Sequence, residues 1–243
     1  MHDRLRTDLP DAADLADRHL PDFVAGSAAP DGLRYMAQLG KFATHFYTED
    51  RRDTWGEAVS GLFQTHPALA DPAGLSERDR ALLMGYISHL SVDEAFRDTV
   101  TSQLHGREVW RPIVRGLWTI VDELPVGYED LAGAVNGFCR KGQAGFIDRE
   151  VLGQYLDRIR EWVEVSDAWA VERLFLELTR STLSDSDARE EWMTNRRAAR
   201  DYIDEARTRQ FIDLATELGV RDVGRFLQGY YREMRDEGSR DEG

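Results

Sequence analysis

Cysteine is almost missing from this chain of 243 residues, with Cys139 its only example. One thiol cannot close an internal disulfide or build a cysteine-rich zinc module, and it fits a reducing compartment. Any metal ion would have to be held by His, Asp and Glu. Long apolar runs are missing too. The amino terminus, Met1-His2-Asp3-Arg4-Leu5-Arg6-Thr7-Asp8, has no stretch resembling a signal peptide, and no later run approaches membrane-spanning length. A cytoplasmic protein with no membrane insertion is expected. Positive charge is in deficit, with 31 Lys and Arg against 45 Asp and Glu, a formal net charge of -14 and a pI near 4.9. Such a surface repels nucleic-acid phosphates and anionic headgroups. The pairs Arg51-Arg52 and Arg196-Arg197 are too short and too mixed with acids to form a basic patch. No nucleic-acid partner is therefore expected. Internal repeats, low-complexity tracts and alternating β-branched stretches between tight turns are also absent.

What the chain does have is helical periodicity and enough apolar mass, 42% hydrophobic and 10% aromatic residues, for a substantial core. The expected fold class is all-α, a multi-helix bundle. A first helix is expected at about 9–25, broken or kinked by Pro21. A loop from Gly26 to about Phe42 should hold Pro30-Asp31-Gly32. Thr54-Trp55-Gly56-Glu57 fits a capping box ahead of Val59, Leu62 and Phe63, with His66-Pro67 ending that helix. Ser76-Glu77-Arg78-Asp79 opens the next, which Leu82, Leu83, Tyr86, Ile87 and Leu90 continue at helical spacing. Further helices are expected near 108–123, 128–139, 148–165, 167–183, 185–218 and 221–235. One domain, 1–235, is expected, with a metal-site half at about 1–140 and an accessory helical half at about 146–235 across Lys141-Gly142-Gln143-Ala144-Gly145. The remainder, 236–243, lacks an apolar anchor and reads as a disordered tail.

Four residues carry the chemistry: Asp31, His45, His89 and Asp93. His89 and Asp93 are four apart on a helix, so their side chains lie one turn apart on one face. That face also bears Tyr86, Leu90 and Phe96, among which a carboxylate and an imidazole are costly unless paired or bound to a metal. A His89–Asp93 hydrogen bond satisfies the same demand. Asp31, between Pro30 and Gly32, reads either as an ordinary turn aspartate or as a carboxylate presented inward. His45 lies in Phe42-Ala43-Thr44-His45-Phe46-Tyr47, where it is a ligand or an aromatic-packed core histidine.

Taken together, these positions resemble the zinc-dependent phospholipase C family, an all-helical fold shared with single-strand-specific nucleases. In that family an aspartate precedes a histidine by thirteen intervening residues, and a later histidine precedes an aspartate by three; Asp31, His45, His89 and Asp93 reproduce both spacings. Gly26-Ser27-Ala28-Ala29-Pro30-Asp31 and Gly85-Tyr86-Ile87-Ser88-His89-Leu90-Ser91-Val92-Asp93-Glu94 look like segments of its smaller bacterial members. The resemblance covers about residues 10–100. It implies Asp31, His45, His89 and Asp93 as metal ligands, zinc as the metal, and Asp31 as the group that orients or deprotonates the attacking water.

The departures are specific. The family's second metal uses two further histidines and a glutamate downstream, whereas only His105 follows Asp93 here, with Glu108 nearby. Its remaining metal uses a processed amino terminus and an upstream histidine, for which only His2 and His19 are present, with no leader to cleave. One metal site is expected, with room for a second. Phe42 matches an aromatic that flanks the family's choline headgroup, but Gly32 stands where those phospholipases place a tyrosine, so a cage of several rings is not expected.

A metal ion lowers the pKa of bound water toward about 7. The expected function is thus a metal-dependent hydrolase resembling phospholipase C with an incomplete metal set, acting on a small-molecule or phosphoester substrate. Two other readings stay open. One is a metalloenzyme of small-molecule biosynthesis using the ion as a Lewis acid for cyclisation, elimination or hydrolysis; the other is a non-catalytic helical binding protein.

Overall fold

The computed structural model describes residues 2–47, 56–104, 110–121, 131–165 and 167–233. They form an all-α multi-helix bundle. Its first half holds α1 (His2–Asp8), α2 (Pro10–Arg18), α3 (Leu20–Met36), α4 (Lys41–His45), α5 (Ala58–Thr65) and α6 (Glu77–Phe96). Then come α7 (Trp110–Val121), α8 (Leu131–Gly137), the hairpin β1 (Gln143–Ala144) and β2 (Ile147–Asp148), α9 (Arg149–Glu164), α10 (Ala168–Leu178), α11 (Asp185–Tyr202) and α12 (Glu205–Leu227).

Helix α6 is the axis. Ser76 caps it by accepting the Asp79 N–H, as the sequence pattern indicates. Leu82, Leu83, Met84, Tyr86, Ile87 and Leu90 are fully buried around its circumference, which places it in the middle of the bundle. One core packs α3, α5, α9 and the end of α12 around α6. A second joins the end of α6 to α7, α11 and α12 through Phe96, Val100, Leu117, Ala199 and Phe211. Among the described residues, no helix is long and apolar enough to cross a membrane.

The loop expected from Gly26 to Phe42 is not there. Helix α3 runs on to Met36, with Pro30 inside it, and only 37–40 separate it from α4. Pro30 gives up the hydrogen bond to the Gly26 carbonyl, a loss of about 3 kcal/mol in an isolated helix. Packing outweighs it, because α3 lies directly against α6. A Cβ on Gly26 would stand 1.9 Å from the Leu82 carbonyl oxygen, and one on Gly85 would stand 2.0 Å from the Phe23 carbonyl oxygen. Gly32 serves a second approach, since its Cβ would meet the Tyr155 ring of α9 at 2.8 Å. These glycines bring helices together rather than ending them.

Other boundaries shift for local reasons. The helix expected at about 9–25 breaks at His19, and Pro21 occupies the first turn of α3, where a missing N–H costs nothing. The helix expected at 185–218 divides at Ile203-Asp204, because the Asp204 side chain accepts the Arg207 N–H and starts α12 anew. Gly219 then lies buried inside α12, which continues to Leu227, so no separate helix begins at 221. Lys141 to Gly145 leads into the small hairpin, where Gly145 turns at φ +60 and Phe146 stacks on His66 at 3.9 Å. Helix α5 starts at Ala58 with no side-chain cap from Glu57. The expected cap residues Thr54 and Trp55, His105, Glu108 and the tail 236–243 lie outside the described residues.

Candidate metal centre

Three helices bring together three side chains that could ligate a metal ion. Asp31 on α3, His45 on α4 and His89 on α6 each offer one ligand atom, and those atoms all lie within 4.8 Å of one another. On α6 the positions left only half-buried in this stretch are His89, Val92 and Asp93, spaced to form one face of the helix. On α3 the matching face carries Phe23, Ser27, Asp31 and Tyr35, all lining the same cleft.

Local bonds fix which ring nitrogens are available. His89 Nδ1 lies 2.8 Å from the Ser27 carbonyl oxygen. A carbonyl can only accept, so in the neutral ring Nδ1 holds the proton and Nε2 presents its lone pair. His89 Nε2 is buried and has no hydrogen-bond partner, a cost of about 1–3 kcal/mol for a polar atom with no ligand. His45 Nδ1 lies 2.8 Å from Thr44 Oγ1, and that hydroxyl reaches the Gly40 and Lys41 carbonyls at 3.5 Å. In the tautomer in which Oγ1 accepts from Nδ1, His45 Nε2 is left bare. Such outer bonds from the second nitrogen are what orient metal-ligating histidines.

Helix α4 is short and is held from outside. The Tyr86 hydroxyl on α6 donates to the Thr44 carbonyl at 2.5 Å. Phe46 ends the helix in the left-handed region at φ 56, and its ring packs against Tyr86 and Phe146. His45 is thereby turned inward, 1% exposed, with its ring centroid 5.3 Å from that of His89. Burial and then the Lys41 ammonium push its pKa down to about 2, against the opposing field of Asp93. It is therefore neutral and able to ligate at any ordinary pH.

Asp31 Oδ1 is 3.5 Å from His45 Nε2 and 3.8 Å from Arg34 Nη1. Asp93 stands beside the trio rather than within it. Its Oδ2 is 3.7 Å from His45 Nε2, but it also accepts from the Tyr47 hydroxyl at 3.2 Å and lies 3.7 Å from Lys41 Nζ. Burial favours the protonated acid, but His89, Lys41, His45 and the Tyr47 hydrogen bond together outweigh it and hold the carboxyl below its usual range. Two imidazoles and a carboxylate suit a divalent ion and leave coordination positions open. The orphaned His89 Nε2 is the observation that fits such an ion most directly.

The site opens into a cleft of about 1640 Å³. One wall is the ligand face of α3 and α6; the other comes from α7, α9, α10 and α11, including Trp162, Phe175 and Trp192. Tyr35, four residues after Asp31, begins an aromatic wall with Tyr155, Trp162 and Phe175, neighbouring centroids being 5.8–6.4 Å apart. Helix α10 has no fully buried residue, since one side of it faces this space.

Among the described residues no second group of potential ligands comes together. His19 bonds Glu77 Oε2 at 3.1 Å and does not line the cleft, and the His2 side chain is outside the described set. Phe42 is 44% exposed and does not line the cleft. Thr44, Tyr47 and the Ser27 carbonyl were not expected as parts of the site. Lys41 is, with Arg34 and Arg97, one of the cations nearest the ligands in sequence, where each reads more readily as a surface residue, and its spacing from His45, one helical turn, is the signal that singles it out. Comparison with known protein families, with curated proteins and with solved structures finds no match for this chain.

Proposed function

We propose that this protein is a metal-dependent hydrolase using one divalent ion, zinc by the chemistry of its donors, held by Asp31, His45 and His89. The observation that carries the reading is the convergence of two imidazoles and a carboxylate on the lining of a large cleft. When bound, the ion would supply a Lewis acid that polarises a substrate oxygen and acidifies water. The remaining work falls to the chain's own groups. The Ser27 carbonyl and Thr44 hydroxyl hold the two rings in their ligating tautomers. Asp31, 35% exposed on its side chain, is open enough to orient water or take a proton from it. The aromatic wall beside Tyr35 excludes water and receives the apolar part of a substrate. A single cysteine accords with action in the cytoplasm.

That aromatic lining also favours a second reading. The same residues could hold a small apolar metabolite for a Lewis-acid reaction in biosynthesis, such as cyclisation or elimination. The two are separated by assaying zinc-reconstituted protein on a chromogenic phosphodiester and a chromogenic carboxylic ester. Turnover that is lost to chelator, restored by zinc and absent in His89→Ala supports the hydrolase. Stoichiometric zinc with no turnover of either substrate favours the second reading.

A further inference from the structure

Lys41 is unusual in this chain before its position is considered. Of the 31 basic residues only Lys41 and Lys141 are lysines, so the compact ammonium is a rare choice here. Lys41 opens α4 and His45 ends it, one turn apart on one face. With α4 tethered to α6 by the Tyr86–Thr44 bond, both side chains point into the cleft. Lys41 Nζ and His45 Nε2 both approach the same carboxylate oxygen, Asp93 Oδ2, at 3.7 Å. The Tyr47 ring supports the ammonium at 5.6 Å, and the Arg97 guanidinium lies 4.1 Å from that ring.

Asp31 and Asp93 together bring two negative charges to the site, which one divalent ion just balances. Any anionic ligand, or a charge developing on a substrate oxygen, then needs a further cation. We propose that Lys41 is that cation: it binds a tetrahedral oxyanion, such as a phosphoryl group, alongside the metal and takes the place of a second ion. Its three donors and flexible stem let it keep Asp93 as counter-ion while turning one N–H to the ligand. Asp93 in turn holds the ammonium at the rim of the metal site. Arg34, another cation on this cleft, is paired instead with Asp31 at 3.8 Å and lies over Tyr35 at 4.9 Å. This proposal rests on the metal reading above.

Calorimetry tests the two separately. Zinc is titrated into the metal-free protein, and inorganic phosphate is then titrated into the zinc-loaded protein, for the wild type, Lys41→Gln and Lys41→Arg. The expected result is one zinc per chain in all three, with phosphate affinity at least tenfold lower in Lys41→Gln and within about threefold of wild type in Lys41→Arg. If Lys41 only neutralises Asp93, Lys41→Gln binds phosphate as the wild type does, and the proposal fails while the metal site stands. Two zinc ions in the wild type, or one zinc with no phosphate binding, overturn it as well. No zinc binding overturns the metal reading and the role of Lys41 with it.

Discussion

Replacing Gly85 by alanine sets two effects of known size against each other. Alanine is the better helix former by about 1 kcal/mol, so propensity alone makes Gly85→Ala stabilising. The added methyl, however, would stand 2.0 Å from the Phe23 carbonyl oxygen and 2.7 Å from the Ser27 nitrogen, both backbone atoms that cannot rotate away. Helices α3 and α6 must then separate, loosening the contacts of Ala25, Ala29, Leu33 and Leu82. Overpacking costs about 1–3 kcal/mol and more where nothing flexible can yield, so the net expectation is a loss of about 2 kcal/mol or more. For a domain of this size that corresponds to a Tm lower by roughly 4–8 °C. The same separation stretches the 2.8 Å bond from His89 to Ser27 and parts Asp31 from His89, so zinc affinity should fall as well. Gly133→Ala is the control, because a Cβ there meets nothing within 4 Å, and it should be neutral or more stable by up to about 1 kcal/mol. Urea denaturation and zinc titration of both variants provide the assay. Equal stability of Gly85→Ala and Gly133→Ala would refute the close crossing on which the site depends.

Three further outcomes are expected. In metal-free protein the unfolded chain takes up a proton at His45 near pH 6.5, while the folded state resists protonation down to about 2; folding stability therefore falls on acidification through that window. Between pH 6.5 and 5 this contributes a loss of roughly 2 kcal/mol, so the stability–pH slope should be flatter by about one proton in His45→Gln; an unchanged slope would contradict the burial argument. Arg149, buried, donates to Asp22 and Asp79 at 2.6 Å each, so Asp22→Ala leaves its guanidinium with one carboxylate of two and also deprives Arg78 of its partner; it should cost about 3 kcal/mol in chemical denaturation, against under 1 kcal/mol for an exposed pair such as Arg158–Glu161. Ser76→Ala removes the cap of α6 and should cost about 1 kcal/mol by the same measurement.

Sequence alone made α6 legible, because a capping serine, apolar spacing and a His–Asp pair four apart all describe one helix. Spacing also pointed to four candidate ligands, of which Asp31, His45 and His89 come together. What it hid was the setting of Asp31. Gly26, Pro30 and Gly32 have the local signature of a loop, and what the two glycines do, allowing close contact with α6 and α9, depends on partners 56 or more residues away. For the same reason the far wall of the cleft was hidden: Trp162, Phe175 and Trp192 are indistinguishable from core residues until α9, α10 and α11 fold over the ligand face. Sequence proximity does not separate Lys41 from Arg34 and Arg97 as a cation near the site; the helical turn that Lys41 shares with His45 does. The separation of Asp93 from the trio follows from Tyr47 and Lys41, whose hold on its carboxylate no spacing rule encodes.

The central claim is that Asp31, His45 and His89 hold a metal ion. Metal-free protein dialysed against zinc and freed of excess ion should retain one zinc per chain by elemental analysis. His45→Ala and His89→Ala, shown to be folded by circular dichroism, should retain almost none. Retention of zinc by both variants, or none by the wild type, would contradict the account.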